Sequence, residues 1–164
     1  MREGRFDATE SGQKQILAAV RQCDTLASKN NLEKQMTDIK FPEQFEDWLN
    51  KSMTQHIPAE VVAYSFNLFE YGSGMYGMEL IGASEFDPDD RDWACEEVWE
   101  PDPRELEISE EFCCSDWESC LRDVRSLVLN VLEKSTPAVA RLKTSQGIGI
   151  GFVDGDMDII WQHK

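Results

Sequence analysis

The chain has 164 residues, 32 acidic against 16 basic for a net charge of −16, with 41% hydrophobic residues and five tryptophans. A chain of this length buries roughly 70% of its unfolded surface without disulfide or metal staples, and its apolar content argues against disorder. So acidic a surface repels nucleic-acid phosphates and anionic lipid, which excludes both as expected partners and favours a basic protein.

The opening stretch MREGRFDATE lacks the apolar run of a secretory signal, and no apolar segment reaches membrane-spanning length. A cytoplasmic protein with no membrane partner is therefore expected. The five cysteines, Cys23, Cys95, Cys113, Cys114 and Cys120, form no CxxC pair, and neither His56 nor His163 lies near them in sequence. They read as reduced packing residues, and no zinc site or other cofactor is expected.

In chain order, Ile16, Leu17, Val20, Cys23 and Leu26 recur at helical spacing and predict a helix over 9–29. A second helix starts near Pro42, with Phe41 stapling its entry. Phe45, Trp48, Leu49 and Met53 form its apolar stripe, which ends before Pro58. The period then changes to two. Val62, Tyr64, Phe66 and Leu68 alternate with smaller or polar residues, Gly72-Ser73-Gly74 signals a turn, and MYGMELIGAS continues as a second strand. An antiparallel hairpin over 61–84 results. Regular signals fade over 85–111, where Pro88, Pro101 and Pro103 interrupt the chain. Ser115 and Glu118 form a capping box for a helix over 116–134. One face of that helix carries Trp117, Leu121, Val124, Leu127, Val128, Val131 and Leu132, and Pro137 marks its end. AVARLK then reads as a further helical turn or the lead into a strand.

The stretch SQGIGIGFVDGDMDIIW alternates Gly147, Gly149 and Gly151 with apolar residues. A phosphate-binding glycine loop would open a helix, and no helical period follows here. Asp154, Asp156 and Asp158 resemble the start of a calcium loop, but Ile159 stands at the turn-glycine position and no glutamate closes the loop. The hairpin reading accommodates all of it, with Asp154-Gly155 as a two-residue turn of positive φ. Ile148, Ile150 and Phe152 then share one face and the glycines the other. Such a row permits close approach of another backbone or an aromatic ring, or else leaves an exposed partner site. The expected fold is α+β in a single domain, 1–164. A helical N-terminal part spans 1–58 and an α+β core spans 59–164, in which helices pack on an antiparallel sheet.

Segment 85–118 holds 15 acidic and two basic residues, so most of the net charge resides there. It also holds Trp93, Trp99 and Trp117, whereas a merely solvating acidic tract contains few aromatics. A surface for a basic protein combines carboxylates with aromatic anchors. On that reading Asp87, Asp89, Asp90, Asp92, Glu96 and Glu97 supply the charge, and Trp93 and Trp99 the anchors. On the alternative reading the two tryptophans pack a long loop onto the sheet and the acids simply face water. No nucleophile elbow, zincin or Walker motif occurs, His56 and His163 read as surface residues, and no catalytic or metal-binding residue is assigned. Carboxylate pairs such as Asp89 and Asp92 leave a second functional reading. It is a divalent-metal-dependent hydrolase using acids of 85–92, or Asp154 and Asp156.

In size, in acidity and in the stretches YGMELIGASEFDPDDRDWACEEVWEP and GIGIGFVDGDMDIIW, the chain resembles bacterial immunity-class proteins, which accompany polymorphic or contact-dependent toxins and block them. The two stretches cover roughly a quarter of the chain, and no residue role is carried over. The resemblance implies a cytosolic, noncatalytic protein that neutralises a basic toxin domain by occluding its cationic cleft. It implies nothing about oligomeric state.

Overall fold

The structure, a computed structural model, describes residues 40–72, 74–113 and 116–164. The helix expected over 9–29, and with it most of the helical N-terminal part, lies outside the described residues. The apolar stripe that follows Pro42 forms helix α1, Phe41–Thr54, with Phe41, Phe45, Trp48, Leu49 and Met53 buried. These positions recur every three or four residues and turn one side of the helix inward. The Arg141 guanidinium donates to the Met53 carbonyl and, at 3.0 Å, to the Gln55 carbonyl, which satisfies acceptors left over at the end of α1.

Strands β1 (Ala63–Gly72) and β2 (Met75–Ala83) make the expected antiparallel hairpin. Its turn requires glycine, since Gly72 and Gly74 take φ of 107° and 78°. Strands β3 (Glu97–Trp99) and β4 (Glu105–Ile108) follow in the stretch where no regular element was expected. Both pair antiparallel with the outer edge of β2, β3 at Gly82–Ala83 and β4 at Tyr76–Glu79. They are in effect one edge strand interrupted at 100–104, where Pro101 and Pro103 supply no amide donor. The prolines and the glutamates Glu97, Glu105 and Glu107 also discourage pairing with another chain.

Helix α2 spans Trp117–Leu132, with Cys120, Val124, Val128, Val131 and Leu132 buried. Its cap is Asp116 rather than the expected Ser115 box. The Asp116 carboxylate accepts from the Ser119 amide at 2.9 Å and from the Ser119 hydroxyl at 3.0 Å. Trp117, expected on the apolar face, is 53% exposed. Pro137 is the first residue of a further helix, α3 (Pro137–Leu142), capped by Thr136, so AVARLK is helical. Cys113 and Cys120 are joined as a disulfide with Cα atoms 5.2 Å apart, and Cys95 is free and exposed. The expectation of reduced cysteines is corrected for this pair.

Strands β5 (Gly147–Phe152) and β6 (Met157–Gln162) form the second hairpin. The sheet order is β3-β2-β1-β5-β6, with β4 also on β2. The fold is α+β as expected, but the sheet is mixed rather than wholly antiparallel, because β1 and β5 run parallel. Parallel neighbours need a long crossover, which α2 and α3 provide. The β5–β6 connection is also corrected. It is the four-residue loop 153–156, in which the Gly155 amide donates to the Phe152 carbonyl at 3.0 Å and Gly155 takes no positive φ.

The two sheet faces differ. One carries Tyr64, Phe66, Leu68, Met78, Leu80, Ile148 and Ile150 and packs with the three helices into the main core. The other carries Ala63, Ile81, Ala83 and Met157, which pack with Trp93, Phe86 and Ala94 from the loop after β2. The glycine row faces this second cluster. A Cβ at Gly147 would overlap the Phe86 ring, and one at Gly149 would overlap the Met157 thioether and lie 3.1 Å from Trp93. One at Gly151 would lie 2.7 Å from the Asp156 carbonyl oxygen. Of the two roles expected for the glycines, close packing is the one observed. Gly151→Ala presses on backbone, whereas Gly149→Ala meets chiefly a flexible methionine. Urea unfolding is therefore expected to show Gly151→Ala destabilised by ~2–3 kcal/mol and Gly149→Ala by about half that. Equal losses would contradict the difference in contact.

Candidate functional site

The residues expected to anchor a partner are interior. Trp93 is 3% exposed, lies against Gly149 and meets Phe86 edge to face at 5.3 Å. Trp99 is 8% exposed, stands edge-on to Tyr64 at 6.1 Å and donates its indole N–H to the His56 carbonyl at 2.9 Å. A ring of this size buries ~150–250 Å², worth ~4–6 kcal/mol of apolar burial. Extracting it to dock would forfeit more than an ordinary interface anchor returns. Trp93 and Trp99 are accordingly corrected from surface anchors to packing residues.

The six expected carboxylates are all exposed, yet several already have tasks. Asp87 accepts from the Asp89 amide at 2.9 Å. Asp90 accepts from the Asp92 amide at 3.1 Å and caps the 3-10 turn Arg91–Cys95 that carries Trp93. Glu97 takes two bonds from Arg104, at 2.8 and 2.9 Å. Asp89, Asp92 and Glu96 remain as solvent-facing charge on this loop.

Arg104 is the hub of a polar chain along the second sheet face. The Ser65 hydroxyl donates to Asn67 at 2.7 Å, Asn67 donates to Glu79 at 3.0 Å, and Arg104 Nε donates to Glu79 at 2.7 Å. Arg104 also pairs with Glu97 and Glu100. Hydrogen bonding to Glu79 comes first among the causes that raise the guanidinium pKa, with the charges of Glu79 and Glu97 adding to it and burial opposing it. One cation held by three carboxylates leaves this edge negative, and a permanently charged guanidinium offers no proton for acid–base work.

Exposed apolar side chains gather elsewhere. Tyr71, Met75, Trp117 and Val153 are each at least 42% exposed. Tyr71 and Met75 flank the β1–β2 turn and Val153 opens the β5–β6 loop, so the parallel β1–β5 pairing brings these features to one end of the sheet. Trp117, the first residue of α2, joins them by meeting Phe152 edge to face at 5.9 Å. Phe152 in turn meets Tyr76 at 5.9 Å. On the second face the rings of Phe69 and Tyr71 contact at 5.0 Å over Gly77, and the Tyr71 hydroxyl donates to Glu105 at 3.0 Å. Carboxylates rim this end. Burial, then the negative charges of Glu70 and Asp116, hold the Tyr76 phenol above its ordinary pKa. Sequence reasoning counted Trp117 within the acidic segment but assigned it to the helix face. The available signal was its place immediately after the capping aspartate, ahead of the buried stripe.

Among the described residues no group of three or more His, Cys, Asp or Glu side chains is positioned to hold a metal ion. Asp158 instead faces Arg91 and Arg125, at 3.9 and 3.6 Å. Among the described residues no helix is long and apolar enough to cross a membrane. No protein-family model, curated protein or solved structure matches the chain.

The presentation of Trp117 depends on the Asp116 cap. Backbone and hydroxyl hydrogen bonds from Ser119 hold the Asp116 pKa below its ordinary value. A carboxyl depressed in the folded state contributes stability that is present above its unfolded pKa, about 4, and lost as pH falls through the folded value. The start of α2 is expected to fray as pH drops below about 4. Asp116→Asn, which caps without titrating, should abolish that component when amide exchange at Ser119 is followed against pH. An unchanged profile in the variant would assign the transition to other groups.

Proposed function

We propose that the chain is a noncatalytic acidic binding protein that neutralises a basic protein partner, in the manner of immunity-class proteins and toxin domains. The observation that carries this reading is the groove at one end of the sheet where Trp117 and Val153 are exposed beside Glu70 and Asp154, with Tyr71 and Met75 exposed at the neighbouring β1–β2 turn. Large aromatic side chains left in solvent cost hydration free energy, and an aromatic centre within a charged rim is the composition of a protein interface. The net charge of −16 would steer a cationic partner over long range, and the exposed apolar groups would hold it at short range. On this reading the docking surface lies at the hairpin ends rather than on Asp87–Trp99 of the acidic segment 85–118, with Asp89, Asp92 and Glu96 contributing to the field. Inhibition would follow from covering the partner's cationic cleft.

The test is affinity capture from the native source with the full chain as bait, at low and high salt, alongside a Trp117→Ala bait. One basic protein is expected in stoichiometric amount at low salt, released at high salt, and reduced by about tenfold or more on the variant. The captured protein's own activity should fall on addition of the chain. Retention of no basic protein, or retention indifferent to both salt and Trp117, would contradict the reading.

A further inference from the structure

Within the aromatic end lies an open groove of roughly 450 Å³. Phe69 and Glu70 of β1, Trp117 of α2, and Phe152, Val153 and Asp154 at the β5–β6 loop line it. No lysine or arginine is among its lining residues. The Glu70 carboxylate is fixed at the wall, because one of its oxygens accepts from the Gly74 amide at 3.0 Å in the glycine turn. Trp117 is braced by Phe152 yet half open to solvent.

This combination selects its occupant. A purely apolar group would satisfy the rings but would leave the carboxylates of Glu70 and Asp154 without a charge partner. An anion would be repelled by both carboxylates. A cation on an apolar stem suits this lining, since the stem would lie along its apolar residues, the head would pair with Glu70 and Asp154, and the Trp117 indole would attract the positive charge. A guanidinium fits better than an ammonium, because it is planar, stacks on aromatic rings, pairs with carboxylates through two bonds and loses less hydration. We propose that this groove receives an arginine side chain presented by the basic protein partner. The proposal rests on the functional reading above and narrows it to a side chain and a pocket.

Titration of the full chain with N-acetyl-arginine methylamide, and with its lysine and citrulline counterparts, tests it through the indole N–H signals of the tryptophans. The Trp117 signal, assigned by its loss in Trp117→Phe, should shift saturably with the arginine compound. The lysine compound should bind about fivefold more weakly, and the uncharged citrulline compound about tenfold or more. The double variant Glu70→Gln, Asp154→Asn should weaken arginine binding by about tenfold while keeping the fold, since a glutamine oxygen still accepts from Gly74. Citrulline binding equal to arginine binding, lysine binding as tight as arginine, or shifts that bypass Trp117 would each overturn the proposal. If a basic partner is captured but blocked arginine does not compete with it and Trp117→Ala does not weaken it, the groove proposal falls and the partner reading stands. If the arginine compound binds as described but no basic protein is captured, the partner reading falls and the groove's preference stands.

Discussion

The glycine row of β5 sets how closely the second face of the sheet can be approached. With no Cβ at Gly147, Gly149 and Gly151, Phe86, Trp93 and Met157 lie directly on the strand and seal that face into a small apolar cluster. The loop that supplies Phe86 and Trp93 is the most acidic part of the chain, and the same contact determines what it exposes. Its rings point inward and its carboxylates remain outside. Trp93 and Trp99, which made the segment resemble a docking surface, are consumed by the fold, and among the described residues Trp117 and Val153 are left exposed at the end of the sheet where the glycine row stops.

The rest of the acidic segment is secured by polar contacts. The indole N–H of Trp48 donates to the Pro103 carbonyl at 3.0 Å. Gln55 donates to the Asp102 carbonyl at 2.7 Å and accepts from its amide at 2.9 Å, which fastens the break between β3 and β4 to the end of α1. Arg104 gathers Glu79, Glu97 and Glu100 along the same edge. A single guanidinium thus relieves repulsion among acids that the strand register brings together, while enough charge stays unpaired to keep the edge from pairing with another chain. Electrostatics in this protein serves first to shape the edge strand and only then to set the field a partner meets.

Much of this was legible in the sequence. The stripe from Phe41 to Met53, the alternation through β1 and the GSG turn lie where local periodicity and glycine chemistry put them. The parallel β1–β5 contact was not legible, because it joins segments about 80 residues apart and nothing local distinguishes a strand with a parallel neighbour from one with antiparallel neighbours. The strands β3 and β4 were hidden by their prolines and charges, features that also belong to irregular loops and to protected edges. Trp93 and Trp99 could be read either way, since a tryptophan among acids suits a packed loop as well as an interface. The distinction rests on Gly149 beneath one ring and the His56 carbonyl beside the other. Trp117 was placed inside by its spacing to Leu121 and Val124, although as the first residue of the helix it lies beyond the surface that buries the rest of the stripe.

The central claim is this division of the tryptophans, with the acidic loop's ring inside and the ring at the start of α2 outside. Photochemically induced nuclear polarisation, which enhances only aromatic side chains that a dissolved flavin dye can touch, measures it directly. Strong enhancement of Trp117 is expected, with Trp48, Trp93 and Trp99 silent, in line with their exposures of 53%, 5%, 3% and 8%. Enhancement of Trp93 comparable to that of Trp117 would contradict the claim. It would show that the loop does not rest on the glycine row and would return the docking surface to the segment between β2 and β3.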